Sequence, residues 1–223
     1  MLALPAAANA QAFGTAGRFA ISAERITTIN HSSVTSEDED EDATTTIGRT
    51  NIALFANPTT GPATSGYSFP RIAADYFVID GLSVGAGLGL ASSSGTIENE
   101  AGNISVETDA DSMSGLLFAP RVGYAFMFED NIGIWPRAGF TYVGVGTDEA
   151  DGDEISARLF AFTLEVPFVF VPVPHVAFTA APALDLGISG STEEDPQEPG
   201  APNVETDYKV TDIGLHLGMT AYF

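Results

Sequence analysis

The sequence predicts an all-β chain that closes into an antiparallel, up-and-down transmembrane β-barrel of eight strands, with ten strands as the alternative. Three observations predict this fold class: long segments of alternating polarity, one apolar face on each segment, and connections that alternate between short and long. Helical periodicity is hard to find, and no apolar run reaches the roughly 18 residues of a membrane-spanning helix. The chain also has 23 glycines, 13 prolines and 15 phenylalanines, which favour strands and turns.

Eight segments in which apolar and polar residues alternate follow one another along the chain. Most are about twice as long as the five or six residues of a typical soluble strand. They suit the roughly 9 to 11 residues that a tilted strand needs to cross a bilayer. The segments are 18–29, 68–79, 82–93, 113–128, 132–146, 155–171, 176–189 and 208–223.

The connections between these segments are of two kinds, three tight turns and four long polar loops. The turns are 80–81, 129–131 and 172–175, and the loops are 30–67, 94–112, 147–154 and 190–207. Because the two kinds alternate without exception, all the long loops lie at one end, as in bacterial outer-membrane barrels. One strand-like stretch, 46–56, lies inside the first loop. It either extends the barrel wall above the membrane or belongs to the ten-stranded alternative.

Each segment has one apolar face and one face of small or polar residues. Over 213–223, for example, every second residue is apolar, and His216 and Thr220 lie on the other face. A soluble sandwich would turn its charged face outwards, whereas here the apolar face is continuous. We expect the apolar face to contact lipid, and closure follows because an open sheet edge has no water to bind there.

Composition excludes several classes of function. The net charge of -22 argues against nucleic acid as a partner, because phosphate binding needs basic surface. The chain has no cysteine, so disulfides and thiol chemistry are absent. No phosphate-binding loop and no metal-ligand spacing occurs in the sequence, so we expect no cofactor and no bound metal centre.

Catalysis is also not expected. The three histidines are His31 in an acidic loop, His175 in a tight turn and His216 on a lumen face. His216 has no serine-containing motif nearby that would suit nucleophilic catalysis. The prediction is that the protein is not an enzyme and has no catalytic residue.

Charged residues on the small, polar faces are expected to meet inside the barrel. Three Pro-Arg pairs supply the arginines, and the predicted network consists of Glu24, Arg71, Asp75, Arg121, Arg137, Glu165 and Asp185. Because side chains roughly fill an eight-stranded barrel, we interpret the network as a structural core. The alternative is the constriction of a narrow pore, since glycines on the same faces leave some room for water.

The N-terminus predicts a secretory signal. An apolar run ends in Ala8-Asn9-Ala10, which has the small-x-small form of a cleavage site, although no basic residue precedes the run. We therefore predict that residues 1–10 are the remainder of a signal peptide. The barrel domain is then 11–223.

The terminal aromatic strand and the segments APRVGYAFMF and WPRAGFTY resemble the small OmpA/OmpX-type outer-membrane barrels, and more narrowly the barrel proteins of myxobacteria. The resemblance implies a monomer in the outer membrane of a Gram-negative bacterium, with lipid around it. It also implies that the barrel-assembly machinery recognises the last strand, through Leu215, Leu217, Met219, Ala221 and Phe223. The expected function is a structural or surface-interaction role, and the alternative is a narrow passive channel for small solutes or ions.

The long loops hold most of the 30 acidic residues, all at the predicted extracellular end. The segment 148–154 has dense oxygen ligands and a glycine, but not the register of an EF-hand loop. The loops are either solvated surface or weak, collective binders of Ca²⁺ or Mg²⁺.

Calorimetric titration of the refolded protein with Ca²⁺ at constant ionic strength separates these two interpretations. Collective binding predicts heat with a dissociation constant of about 10⁻⁴ to 10⁻³ M, the usual range of extracellular calcium sites. Na⁺ at matched ionic strength is the control. No heat beyond dilution up to several millimolar would show that the loops are only solvated.

Overall fold

The fold comes from a computed structural model, which describes residues 12–38, 43–54, 66–68, 70–101, 104–109, 112–148, 154–195 and 204–223. The strands are β1 (Phe19–Asp38), β2 (Ala43–Leu54), β3 (Arg71–Phe77), β4 (Leu82–Ser93), β5 (Thr96–Ala101), β6 (Ile104–Asp109), β7 (Ser112–Tyr124), β8 (Phe126–Glu129), β9 (Ile132–Ile134), β10 (Arg137–Asp148), β11 (Glu154–Glu165), β12 (Phe168–Val173), β13 (Val176–Asp195) and β14 (Val204–Tyr222). A single turn of 3₁₀ helix, Gly66–Ser68, precedes β3. Within these ranges no helix is long and apolar enough to cross a membrane.

Antiparallel pairing of neighbouring strands closes the sheet into a barrel. The eight positions in the wall are β1, β3, β4, β7 with β8, β9 with β10, β11 with β12, β13 and β14. The first and last strands pair from Ala20↔Tyr222 to Ser36↔Tyr208, which joins the two ends of the sheet. The predicted eight-stranded antiparallel barrel is confirmed.

Three adjacent wall positions are each interrupted near the end that carries the tight turns. The interruptions fall at Ala125, at Trp135 with Pro136, and near Pro167. Proline has no N–H group, so it breaks the hydrogen-bond ladder where it occurs. The wall stays joined, because the N–H of Tyr124 donates to the Pro136 carbonyl (2.9 Å) and that of Trp135 to the Pro167 carbonyl (2.8 Å).

The outer surface of the wall is apolar. Its large exposed side chains come from every part of the sheet and include Ile21, Ile72, Val84, Leu88, Phe118, Val122, Phe140, Phe168, Phe178, Ile213 and Leu217. An apolar surface that surrounds the whole molecule fits hydrocarbon rather than water as its solvent. The predicted lipid-facing sides of the strands are therefore the outward sides.

The stretch 46–56 lies mostly in β2, which extends the wall. Strand β2 pairs with β1 from Thr27↔Leu54 to Asp38↔Ala43, while β3 pairs with the lower part of the same strand up to Glu24↔Arg71. Two strands thus share one neighbour, with β2 above β3. Of the two predicted alternatives, the extension of the wall is the one observed.

The predicted loops 94–112 and 190–207 contain more strand than the sequence predicts. Strands β5 and β6 form a separate two-stranded sheet inside 94–112, and β13 and β14 continue pairing as far as Glu194↔Val204. The acids in these segments favoured a loop interpretation. In the same segments, however, the acids alternate with Ile, Val and Thr, which favour strands. Outside the membrane, a strand can have charged residues on both faces.

We predict that the protein folds only with an amphiphile. Because the outer surface is apolar all round, chain refolded into detergent should migrate faster on an SDS gel than the same sample after boiling. The boiled sample is the control for full unfolding. A monomer that folds in buffer without detergent would contradict the prediction.

Candidate functional site: a sealed lumen with a buried charge network

Four arginines and four carboxylates meet in the middle of the lumen, and each is at most 9% exposed. All seven residues of the predicted network belong to this cluster, and one more joins it. The members are Glu24, Arg25, Arg71, Asp75, Arg121, Arg137, Glu165 and Asp185. Their formal charges cancel, which is the condition for keeping so many ions out of water.

Glu24 accepts hydrogen bonds from three arginines. Arg71 Nε donates to Oε2 at 3.0 Å, and Arg137 Nη1 donates to Oε1 at 2.5 Å. Arg121 binds both oxygens, with Nη1 to Oε2 at 2.6 Å and Nη2 to Oε1 at 2.8 Å. The two-pronged contact uses the planar fork of the guanidinium, which matches a carboxylate in geometry.

Glu165 is the second centre of the cluster. Arg25 Nη2 and Arg71 Nη2 donate to its Oε1 at 2.8 and 2.6 Å, and Arg137 Nη2 donates to its Oε2 at 2.8 Å. Arg71 and Arg137 therefore bridge Glu24 and Glu165. This sharing makes one connected network rather than separate pairs.

Two aspartates close the ends of the network. Asp75 binds Arg121 through both oxygens, at 3.0 Å from Nε and 2.5 Å from Nη2. Asp185 accepts from Arg25 Nη1 at 2.9 Å. Each outer arginine thus lies between a central glutamate and a terminal aspartate.

Arg25 is the member of the network that the sequence does not predict. Strict alternation puts it on the lipid face beside the lumen residue Glu24, but β1 has a register shift against β14 between Ala23 and Thr27, and Arg25 adopts a φ of 54°. The bulge turns two consecutive side chains into the lumen. The identity of the residue could have predicted the bulge. An arginine that faces hydrocarbon at this depth would cost about 3 kcal/mol, so Arg25 is expected to turn into the lumen.

Lumen glycines make the room that the arginine side chains occupy. A Cβ on Gly123 would lie 2.8 Å from Arg137 Cγ, and one on Gly139 would lie 2.9 Å from Arg121 Cβ. A Cβ on Gly87 would lie 3.0 Å from Arg71 Cδ. The space that the sequence suggested for water is at these positions filled by guanidinium stems.

An aromatic layer fills the lumen at the end with the tight turns. Phe13, from the segment before β1, is 2% exposed and meets the rings of Phe77, Trp135 and Tyr222 edge-on at 5.2 to 5.5 Å. Trp135 in turn lies under the guanidinium of Arg137, 4.7 Å from ring centroid to Cζ. The charge network is therefore bordered by a packed aromatic layer at the end with the tight turns.

A second layer covers the network on the loop side. Tyr67, from the 3₁₀ turn, is fully buried among Leu117, Val143 and their neighbours. Its carbonyl accepts a hydrogen bond from Arg25 Nη1. Burial, with the nearby carboxylate of Asp185, raises the pKa of the Tyr67 hydroxyl above its usual range. The lumen is thus filled above and below the charges.

Polar side chains on β1 and β14 line the lumen beside the upper layer. His216 Nδ1 and Thr28 Oγ1 lie 2.9 Å apart, and Asp212 accepts from Ser32 Oγ at 2.7 Å and from Asn30. These groups are at most 3% exposed. Their bonds connect the two strands that close the barrel, so the seam is joined inside as well as through its backbone.

Histidine and carboxylate side chains are the groups of the described residues that could hold a metal ion. No group of three or more His, Asp or Glu side chains there is placed to hold a metal ion. His216 is buried, and within the described part of the chain its Nε2 has no hydrogen-bond partner. The expected absence of a catalytic residue stays a prediction.

No protein-family model matches the sequence, and no curated protein matches it either. Solved structures do match. The crystal structure of the outer membrane protein OprG from Pseudomonas aeruginosa is 14% identical and has a TM-score of 0.58, with 94% of this chain and 97% of that chain covered. The outer membrane protease OmpT from Escherichia coli is 9% identical (TM-score 0.46; 92% and 96% covered). Ail, the attachment invasion locus protein of Yersinia pestis, is 12% identical (TM-score 0.40; 94% and 100% covered).

By its fold the chain is therefore a β-barrel of the outer-membrane class. The likeness to OprG bears out the predicted resemblance to small outer-membrane barrels at the level of fold. The predicted location, the outer membrane of a Gram-negative bacterium, agrees with the location that the name of OprG gives. The narrower resemblance to myxobacterial proteins stays a prediction.

We predict that Glu165→Gln destabilises the barrel by about 3 to 5 kcal/mol, because the change removes a negative charge that three buried arginines contact. The measurement is urea unfolding in lipid vesicles, followed by the fluorescence of the single tryptophan, Trp135. Glu193→Gln is the matched control, since Glu193 is exposed. Equal unfolding midpoints for the two variants would show that the network contributes little.

Proposed function

We propose that the protein is a monomeric outer-membrane β-barrel with a closed lumen, and that it has a structural or surface-interaction role. The filled lumen is the observation that supports this proposal. Phe13 lies below the charge network and Tyr67 above it, and both are buried. An eight-stranded barrel has an interior about as wide as its own side chains, so little space is left for a solute.

A closed lumen leaves the outer wall, the loops and the terminal strand as the places where partners could bind. The wall would contact lipid. The side chains of the proposed assembly signal, including Leu215, Leu217 and Phe223, are exposed on that wall, where assembly machinery could reach them. Much of the acidic loop sequence, and the proposed signal peptide 1–10, lie outside the described residues.

A narrow channel is the second candidate, because the described part of the upper layer, 66–68, has few side-chain hydrogen bonds. The upper layer belongs to a loop segment, and the bond from Arg25 holds the carbonyl of Tyr67. Within the described residues, the hydroxyls of Tyr67 and Ser68 have no hydrogen-bond partner. A segment with so few polar contacts could leave the lumen more easily than a strand could.

Single-channel recording in a planar bilayer tests both candidates. We expect no stable openings from the wild-type protein, because the charge network spans the lumen even when Tyr67 moves away. Stable, cation-selective conductance that disappears in Arg121→Ala would favour the channel and contradict the closed barrel. Glu193→Gln, outside the lumen, is the control and should behave as wild type does in either case.

A further inference from the structure

The outer wall has a shallow depression on the side formed by β4, β7, β10 and β11. Its volume is about 730 Å³. It exists because small residues replace the large apolar ones that cover the rest of the wall. The outward-facing small residues here are Ser92, Ser114, Gly144, Gly146 and Ser156.

Apolar side chains border the depression, which begins at an aromatic row and extends towards the loops. Leu90 is 81% exposed, and Leu116 and Tyr142 are also exposed. Tyr142 pairs with Phe118 on one side and Phe160 on the other. Rows of aromatic residues on transmembrane barrels lie at the boundary between hydrocarbon and headgroups.

Arg158 lies at the β11 side of the depression, in the same cross-strand row as Leu116 and Leu90. It is exposed on β11, where it pairs with Gly144, and it lies two residues beyond Phe160. Two residues along a strand are roughly 7 Å, so the guanidinium stands at headgroup height above the aromatic row. Four of the eight basic residues of the chain lie in the lumen network, and Arg158 is the basic residue that lines this depression.

We propose that this depression binds a phosphate-bearing lipid of the outer leaflet, with an acyl chain in the groove and the phosphate on Arg158. A guanidinium binds a phosphate with two parallel hydrogen bonds and attracts it by charge. Arg158 is exposed, and within the described part of the chain it has no ion pair. The inference rests on the proposed location in the outer membrane.

Acidic residues on the loop side of Arg158 limit where the phosphate of the ligand can lie. Glu193 lies opposite Ser156, and Glu154 and Asp195 form a pair two residues further out on the same side of the wall. These carboxylates repel a phosphate that lies further from the membrane than Arg158. Hydrocarbon excludes a phosphate that lies closer to the midplane of the membrane. Arg158 therefore defines a narrow band in which an anionic headgroup is stable.

The experiment compares two lipids that differ only in phosphate. Protein refolded in detergent is titrated with phosphatidic acid or with diacylglycerol of the same acyl chains, and bound lipid is counted by native mass spectrometry. Wild type should prefer phosphatidic acid. Arg158→Gln should bind phosphatidic acid about fivefold more weakly, as expected for loss of one arginine at a membrane surface, and should bind diacylglycerol as wild type does.

Two further variants test the groove and the specificity of the charge. A Cβ on Gly146 would lie 3.5 Å from Ser114 Oγ, so Gly146→Leu fits the wall but fills the groove and should weaken both lipids. Arg49→Gln removes an exposed arginine on β2 and should change neither. Heat-modifiable migration checks that each variant is folded, independently of lipid binding. Equal affinity of wild type and Arg158→Gln for phosphatidic acid would overturn the proposal, as would unchanged binding by Gly146→Leu.

Discussion

Two buried glutamates organise the interior of this barrel. Glu24 and Glu165 share Arg71 and Arg137, so removing either of these two arginines affects both centres. The members of the network come from β1, β3, β7, β10, β11 and β13, and they bind across the lumen from most sides of the wall. Because charges in a low-dielectric interior must be compensated, this network constrains the cross-section of the barrel more strictly than apolar packing would.

The wall and the network depend on each other through residue size. Arginine stems lie against Gly87, Gly123 and Gly139, where any Cβ would come within about 3 Å of them. The small residues on the lumen side of the wall are therefore explained by the arginine side chains that lie against them. The barrel has little interior volume, and four guanidinium groups take a large part of it.

The sequence predicted the regular part of the structure well. Period-two alternation is a property of any unbroken strand, so it placed Arg121 and Glu165 in the lumen and Leu217 on the lipid face without knowledge of the fold. It failed at Arg25 because a bulge breaks the period. No local pattern could have placed Phe13 or Tyr67, since both enter the lumen from outside the strands that surround them.

The charge balance of the lumen has a consequence for the way in which the chain enters a membrane. Arg25 and Glu24 are near the start of the chain, whereas Glu165 and Asp185 are near its end, and β1 meets β14 only when the sheet closes. A partly inserted sheet without β11 and β13 would hold Arg25 beside lipid without either of its carboxylates, at a cost of about 2 to 4 kcal/mol near the midplane. Intermediates of this kind are disfavoured relative to both the unfolded and the closed state. Insertion and closure are thereby coupled into one cooperative event, in which electrostatics selects against incomplete barrels.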